Sequence, residues 1–171
     1  FGGSWSAPQL QITNLHLRFP EGELDAHGNL NVATRAADFG VRSDFNAKRL
    51  GPLLGESAQA WLARHVWNTP PHVSGTGTVI LPAWTNRAPD WQGEVIPTLC
   101  LAAQIAITNG SYLSLAADWA TLHLGMTNLV WHLPDLVAGR PEGQLRLVHV
   151  ADDKTHDFYF GIHSTFDPRI M

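Results

Sequence analysis

The stretches FGVRSDFNAKRL, residues 39–50, and FGIHSTFDPRIM, residues 160–171, are two versions of one phrase. A shift of 121 residues aligns them, and the alignment continues upstream without a gap. Nine of the 31 pairs that join residues 20–50 to residues 141–171 are identical, whereas ordinary composition would give about two. The sequence therefore predicts an internal repeat of about 121 residues.

This repeat divides the chain into one full copy and part of another. Copy one covers about residues 8–128, and the partial copy two covers about residues 129–171. The second copy stops where the first turns into AKRLGPLL, residues 47–54, so we expect a fragment of a larger repeat protein. No linker is visible, and residues 1–171 are expected to form a single β domain. Two similar strands within one β domain would be the simpler explanation of the echo.

Composition narrows the class of protein. The chain is 44% hydrophobic, which suits one domain with a sizeable core. Its net charge is −4 with only 15% charged residues and no basic patch, which argues against nucleic acid as a partner. Cys100 is the single cysteine, so an internal disulfide is excluded. No run of 18 apolar residues and no signal peptide is visible.

Alternation of apolar and polar residues dominates the sequence and predicts about ten strands. Short connections favour antiparallel pairing of these strands. The longest run covers residues 99–107, and Asn109-Gly110 directly after it predicts a hairpin turn. Gly75 and Gly77 predict a bulge or a bend within their strand. The remaining predicted strands are 10–19, 24–32, 39–45, 73–81, 119–124, 129–133, 143–150 and 157–166.

One segment has a helical composition. SAQAWLARHVW, residues 57–67, predicts a single helix with Ser57 as its N-cap. Trp61, Leu62 and Val66 would form an apolar stripe that covers one end or face of the sheet. The predicted fold is thus a mainly β protein, an amphipathic antiparallel sheet forming either a groove or a sandwich, with one helix.

Catalytic and metal-binding motifs are not recognisable. The nine histidines form no HxH, HxxxH or HExxH pattern, and no GxSxG elbow is present. Asp152, Asp153 and Asp157 lack the glycine and the closing glutamate of a calcium loop, so a solvated turn is the preferred interpretation. We therefore expect no catalytic residue, no metal and no cofactor, and we expect that the protein is not an enzyme.

Three segments together resemble the AsmA-like family of bacterial envelope proteins, which includes the TamB and YhdP relatives. They are ITNLHLRFPEGELDAHGNLNV at 12–32, DFNAKRLGPLLGESAQAWLARHVW at 44–67 and PPHVSGTGTVILPAWTN at 70–86. About residues 9–171 are compatible with this resemblance. The Trp- and Pro-rich segment at 82–97, predicted to be a long loop, departs from a pure groove repeat.

The resemblance implies a β-groove, a long and incompletely closed sheet whose apolar inner face shields acyl chains. It implies lipid transport or outer-membrane biogenesis in the periplasm of the cell envelope, by a parent protein anchored in the inner membrane. The implied partners are a phospholipid or another acyl-chain ligand and the neighbouring repeats of the parent chain. The hypothesised lipid-binding residues are Val73, Val79, Leu81, Leu99, Leu101, Ile105, Ile107, Phe158, Phe160 and Ile162.

Two other functions stay open from the residues. The same apolar rows would fill the core of a closed β-sandwich, and such a sandwich could bind glycan or protein through Trp84 and Trp91 in the loop at 82–97. A hydrolase whose site is assembled only in the fold is the other alternative.

Overall fold

The computed structural model describes residues 1–53, 55–113 and 115–167. It is mainly β, as predicted, and its eleven strands form one open antiparallel sheet. Leu54 and Ser114 of the first repeat copy and residues 168–171 of the second lie outside the described residues. In the described ranges, no helix is both long enough and apolar enough to span a membrane.

The strands follow the predicted alternation closely, with two additions at Gly2–Ser6 and His65–Trp67. In the part of the chain that the structure describes, helical structure is limited to the helix α1 at Glu56–Ala63, a 3-10 helix at Ala47–Leu53 and two short helical turns at Trp91–Val95 and Ile96–Thr98. The strands are β1 Gly2–Ser6, β2 Gln9–Phe19, β3 Gly22–Asn31, β4 Ala36–Ser43, β5 His65–Trp67, β6 His72–Ile80, β7 Cys100–Tyr112, β8 Leu115–Thr127, β9 Val130–Arg140, β10 Gly143–Asp152 and β11 Asp157–Ser164.

Strand order in the sheet nearly repeats strand order in the chain. The path runs β1-β2-β3-β4-β6-β7-β8-β9-β10-β11, and β5 lies off this path beside β7. Strand β7 is long enough to hold two neighbours on one edge, since β6 pairs with residues 100–106 and β5 with residues 110–112. Short connections thus lay almost every strand beside its predecessor, which is the expected result for an antiparallel meander.

The predicted helix at 57–67 is right in its first part and wrong in its last. Helix α1 ends at Ala63, and His65–Trp67 form strand β5 instead. The β-branched and aromatic side chains of β5 fit a pleated strand better than a helix. The N-cap is Gly55, with no side-chain cap, and Ser57 lies inside the helix.

The predicted role of Trp61 as a cover for the sheet is also wrong. Trp61 is 56% exposed and Val66 is 53% exposed. The ring of Trp61 lies 4.3 Å from the ring of His65, centroid to centroid. Helix α1 packs on the 3-10 helix and on β5, so its contacts are local and the described face of the sheet is left open.

The predicted turn at Asn109-Gly110 is not a turn. Strand β7 runs on to Tyr112, and its register with β8 is the same on both sides of Asn109, whose φ is 50°. The chain turns beyond Tyr112. Pairing with β5 extends β7 past the Asn-Gly signal, and these long-range backbone hydrogen bonds override the local preference.

The predicted bulge at Gly75 and Gly77 is absent, because β6 pairs in unbroken register with both β4 and β7. A Cβ atom at Gly77 would lie 2.6 Å from Cζ of Phe39 and 2.9 Å from the carbonyl oxygen of Cys100. Glycine at this position therefore makes room for the neighbouring phenyl ring.

The repeat is visible in the strands themselves. Strands β9, β10 and β11 begin and end 121 residues after β2, β3 and β4. Gly28 pairs with Phe39, and their counterparts His149 and Phe160 pair in the same way. Even the irregularity of β2 between Ile12 and Leu15 recurs in β9, 121 residues later. The common pairing direction expected for the segments 20–45 and 141–166 is thus observed.

The turn between β3 and β4 recurs between β10 and β11 with different residues. Asn31 and Asp152 each use Oδ1 to accept hydrogen bonds from the backbone N–H groups two and three residues later. Arg35 and His156 close the two turns with φ of 65° and 61°. The Asp152 carboxylate therefore stabilises a turn, which agrees with the interpretation preferred from the sequence.

Candidate ligand-binding face

Pairing register defines one face of the sheet. Residues directly opposite each other in neighbouring strands point to the same side. The chain of pairs Val73–Ile105–Leu122 crosses β6, β7 and β8 on this side, and Gly77–Leu101–Met126 does the same. We call this side the apolar face. Over residues 73–79 of β6, 101–107 of β7 and 120–126 of β8 its members are Val73, Gly75, Gly77, Val79, Leu101, Ala103, Ile105, Ile107, Ala120, Leu122, Leu124 and Met126.

The apolar face continues to the edge strand β11. Met126 pairs with Trp131, Trp131 with Ala151, and Ala151 with Phe158. Phe160 and Ile162 have the same parity as Phe158 and lie on the same side. In the other direction, Val41, Ala26 and Leu15 carry the face through β4, β3 and β2, and the pair Leu10–Trp5 carries it to β1. Apolar residues therefore share one side across ten strands.

Of the ten residues predicted to bind lipid, eight lie within strands on this face. Leu81 follows the end of β6, and Leu99 lies between the 3-10 turn and β7. The eight form two groups rather than one site. Val73, Val79, Leu101, Ile105 and Ile107 lie on β6 and β7, whereas Phe158, Phe160 and Ile162 lie on β11. Four strand spacings separate β7 from β11, which amounts to about 19 Å.

Burial differs between the two groups. The residues on β6 and β7 are half-buried by their neighbours in the sheet. On β11, Phe158 is 69% exposed, Phe160 55% and Ile162 60%. The rings of Phe158 and Phe160 stack with an interplanar angle of 9° and a centroid distance of 6.2 Å. The β11 group is therefore open apolar surface, which soluble proteins seldom leave without a partner.

The structure adds residues that the sequence analysis did not select. Leu122, Leu124 and Met126 on β8 complete the central part of the apolar face. Val95 and Met126 are the buried hydrophobic residues of the described chain. Alternation within residues 119–124 already indicated a strand, but the run of glycine and methionine after it hid the continuation to Thr127.

A closed sandwich core is excluded by the arrangement of the strands. Within the described ranges, all extensive contacts between strands join hydrogen-bonded neighbours of the one sheet. The sandwich considered from the sequence would need a second sheet about 10 Å away from the first. The sequence could not exclude it, because strand parity is the same whether an apolar face meets a second layer or stays open.

The opposite face presents charged and polar side chains among its residues and carries two adjoining open clefts of about 450 and 800 Å³. Both clefts are lined by Asp25, Arg42, Ser74 and Gln104, and the larger one also by His27, His123 and His132. These clefts lie on the side away from the apolar face. The clefts are therefore not formed by the apolar inner surface that the family resemblance implies.

A bulge in β9 organises one histidine on this polar face. Residues 134 and 135 carry the extra residue of β9, and Pro134 has no N–H to donate to a neighbouring strand. The Asp135 carboxylate instead accepts a 2.9 Å hydrogen bond from the backbone N–H of His123 and lies 2.7 Å from its ring Nδ1. These two hydrogen bonds hold the pKa of Asp135 below its ordinary value.

Replacing Asp135 is expected to cost stability in a pH-dependent way. A carboxyl group whose pKa is lowered by folding contributes stability above its unfolded pKa of about 3.9 and loses it as the pH falls through the folded pKa. Asp135→Asn should therefore lower the urea midpoint at pH 7, and the difference from the wild type should shrink below pH 4. Asp118→Asn, another exposed carboxylate on the sheet, is the control. An unchanged difference at pH 7 and pH 3 would contradict the proposed role of the ionised carboxylate.

The loop at 82–97 contains both tryptophans of the glycan alternative. Trp84 is 55% exposed, and its indole N–H donates a 2.8 Å hydrogen bond to the carbonyl of Val32. Trp91 is 53% exposed and begins the short helical turn Trp91–Val95. Among the described residues, no group of three or more His, Cys, Asp or Glu side chains is placed to hold a metal ion.

Comparisons of the chain with protein-family models, with curated proteins and with solved structures each gave no match.

Proposed function

We propose that the apolar face binds acyl chains, and that the chain is a non-enzymatic segment of an AsmA-like protein. In this proposal it takes part in lipid transport or outer-membrane assembly in the bacterial periplasm, and its ligand is a phospholipid or another acyl-chain compound. One observation carries the proposal. An apolar face extends across ten strands of a single sheet, and the described residues place no second layer over it.

The central part of the face suits a hydrocarbon chain. Over residues 73–79, 101–107 and 120–126 its members are valine, leucine, isoleucine, methionine, alanine and glycine only. Gly75 lies between Val41 and Ala103 in the pairing, so small side chains leave a depression between larger ones. Each methylene removed from water contributes about 0.8 kcal/mol. Affinity would therefore come from area, and no cation on this part of the face would select a head group.

Placing two negative charges on the apolar face tests the proposal. In Leu101→Asp/Ile105→Asp, two carboxylates would face the ligand, and an acyl chain cannot compensate their desolvation. We expect binding of a dansyl-labelled fatty acid, followed by fluorescence, to weaken more than tenfold. The matched control is Ala102→Asp/Gln104→Asp, which places the same charges on the opposite side of the same strand and should bind within twofold of the wild type.

The outcome depends on the variants being folded, which circular dichroism establishes. Equal binding by the folded Asp variant and by the wild type would contradict the proposal, as would an absence of binding by the wild type. If the double variant unfolds, a photo-crosslinking residue at Ile105 in cells replaces it. Lipid-sized adducts at Ile105 support the proposal. Crosslinks confined to the protein's own residues contradict it.

A further inference from the structure

Strand β11 is an edge strand whose counterpart in the first repeat copy is not. Strand β4 lies between β3 and β6 and pairs with both along its length. Strand β11 lies 121 residues later, pairs with β10 in the same register, and has no neighbour on its other side among the described residues. The first copy therefore shows what kind of strand fits beside the second.

The two strands present comparable residues to that neighbouring position. In β4, Phe39 pairs with Gly77 and Val41 pairs with Gly75. Their counterparts on β11 are Phe160 and Ile162, which are 55% and 60% exposed. Phe39 and Val41 are half-buried, because β6 covers their strand edge. The difference in exposure matches the loss of one neighbouring strand.

The edge of β11 is also unprotected. Natural sheets usually guard an exposed edge with lysine, proline, a bulge or a covering loop. Strand β11 reads DFYFGIHS, pairs with β10 without a bulge and contains neither lysine nor proline. It is more apolar than β4, since Phe158 and Tyr159 replace Ala37 and Asp38. Such an edge is a template for strand addition.

We propose that the free edge of β11 binds an antiparallel strand of the β6 type, supplied by a neighbouring copy of the repeat. The pattern of that strand is Val-x-Gly-x-Gly-x-Val, as in residues 73–79. In the register of β4 and β6, its two glycines lie opposite Ile162 and Phe160, and its two valines lie opposite Ser164 and Phe158. This proposal does not depend on acyl-chain binding.

Glycine is required opposite Phe160 for the reason seen in the first copy. A Cβ atom at Gly77 would lie 2.6 Å from Cζ of Phe39, too close for any side chain there unless the ring moves. Phenylalanine is retained at 160, so the same collision would exclude a side chain at the matching position of the added strand. The edge should therefore select its partner by the absence of side chains at this position, in addition to the backbone hydrogen bonds common to all strand addition.

Synthetic peptides test this selectivity on the intact chain. A fluorescently labelled peptide HVSGTGTVI, the sequence of β6, is titrated with the protein, and fluorescence anisotropy reports binding. The control peptide HVSVTVTVI carries Gly75→Val and Gly77→Val. We expect the control peptide to bind at least tenfold more weakly, and we expect bound HVSGTGTVI to slow hydrogen exchange of β11 amides. Equal binding of both peptides, or binding of neither, would overturn the proposal.

A protein variant provides the complementary test. Phe160→Ala changes a side chain that is more than half exposed, so the sheet should stay folded. Without the phenyl ring, a peptide with Gly77→Ala alone should bind as well as HVSGTGTVI, whereas the wild-type protein should discriminate between the two. Unchanged discrimination in Phe160→Ala would overturn the glycine requirement. The protein could instead self-associate in a way that Phe160→Asp abolishes and that the peptide HVSGTGTVI does not inhibit. That result would assign the edge to a second copy of this chain and overturn the proposal.

Discussion

Met126→Ala is expected to lower the free energy of unfolding by about 2–5 kcal/mol, the range found for truncation of a buried methionine. Met126 is 1% exposed, in a sheet whose other apolar residues are mostly half-buried. It lies on the apolar face between Leu101 of β7 and Trp131 of β9. Removing its side chain takes away contacts with both neighbouring strands, and urea unfolding followed by circular dichroism measures the loss.

The control for this substitution lies on the same strand. Leu115 is 60% exposed, so Leu115→Ala removes little buried area and should cost well below 1 kcal/mol. Similar losses for the two variants would show that Met126 is no more important to the sheet than an exposed leucine. That result would contradict the assignment of Met126 to the best-packed part of the apolar face.

Gly22→Ala is the second substitution with a large expected effect, a loss of about 3 kcal/mol. Gly22 begins β3 with a φ of 138°, a region of the backbone map that is essentially restricted to glycine and costs other residues about 1–3 kcal/mol. A Cβ atom there would also lie 2.5 Å from the carbonyl oxygen of Asp44. That oxygen belongs to the backbone, so a rotamer change cannot relieve the collision.

The turn that Gly22 serves is held by further contacts that the substitution would disturb. The backbone N–H of Glu23 donates a 2.7 Å hydrogen bond to Oδ1 of Asp44, and the ring of Phe45 lies 4.5 Å from that of Phe19. Gly51→Ala is the control, because its added Cβ would have no atom within 4 Å. We expect a clear drop in melting temperature for Gly22→Ala and almost none for Gly51→Ala. Equal melting temperatures would show that the backbone at residue 22 adapts to a side chain.

The sequence predicted the strands well where one side of the sheet differs chemically from the other. Period-two alternation revealed β3, β6 and β7 because the apolar face is continuous there. Strand β5 has three residues, too few to display a period, and its tryptophan-rich neighbourhood resembled a helix. The turn at Asn109-Gly110 was wrongly predicted because β5 supplies extra pairing from a distant part of the chain, which local residues cannot indicate.

The sequence predicted which residues of the candidate site share a side of their own strand, but not how the strands that carry them are arranged. Parity within β7 placed Leu101 and Ile105 on a common side of that strand, and parity within β11 did the same for Phe158 and Phe160. Whether these sides coincide depends on the register of every strand between them, including the extra residue at 134–135 of β9. The distance between the two groups depends on the strand order, which emerges only from the assembled sheet. Openness of the face is likewise a property of the whole arrangement.

The number of strands between the two repeat copies sets the rotation and translation that relate them. Six strand-to-strand steps lead from β2 to its counterpart β9. The number is even, so the two strands run in the same direction. Six steps of about 4.8 Å advance the sheet by about 29 Å, and the usual twist of 20–25° per step turns it by about 120–150°. The two copies are thus related by a screw rotation, and the apolar face turns around the axis of the sheet from one copy to the other.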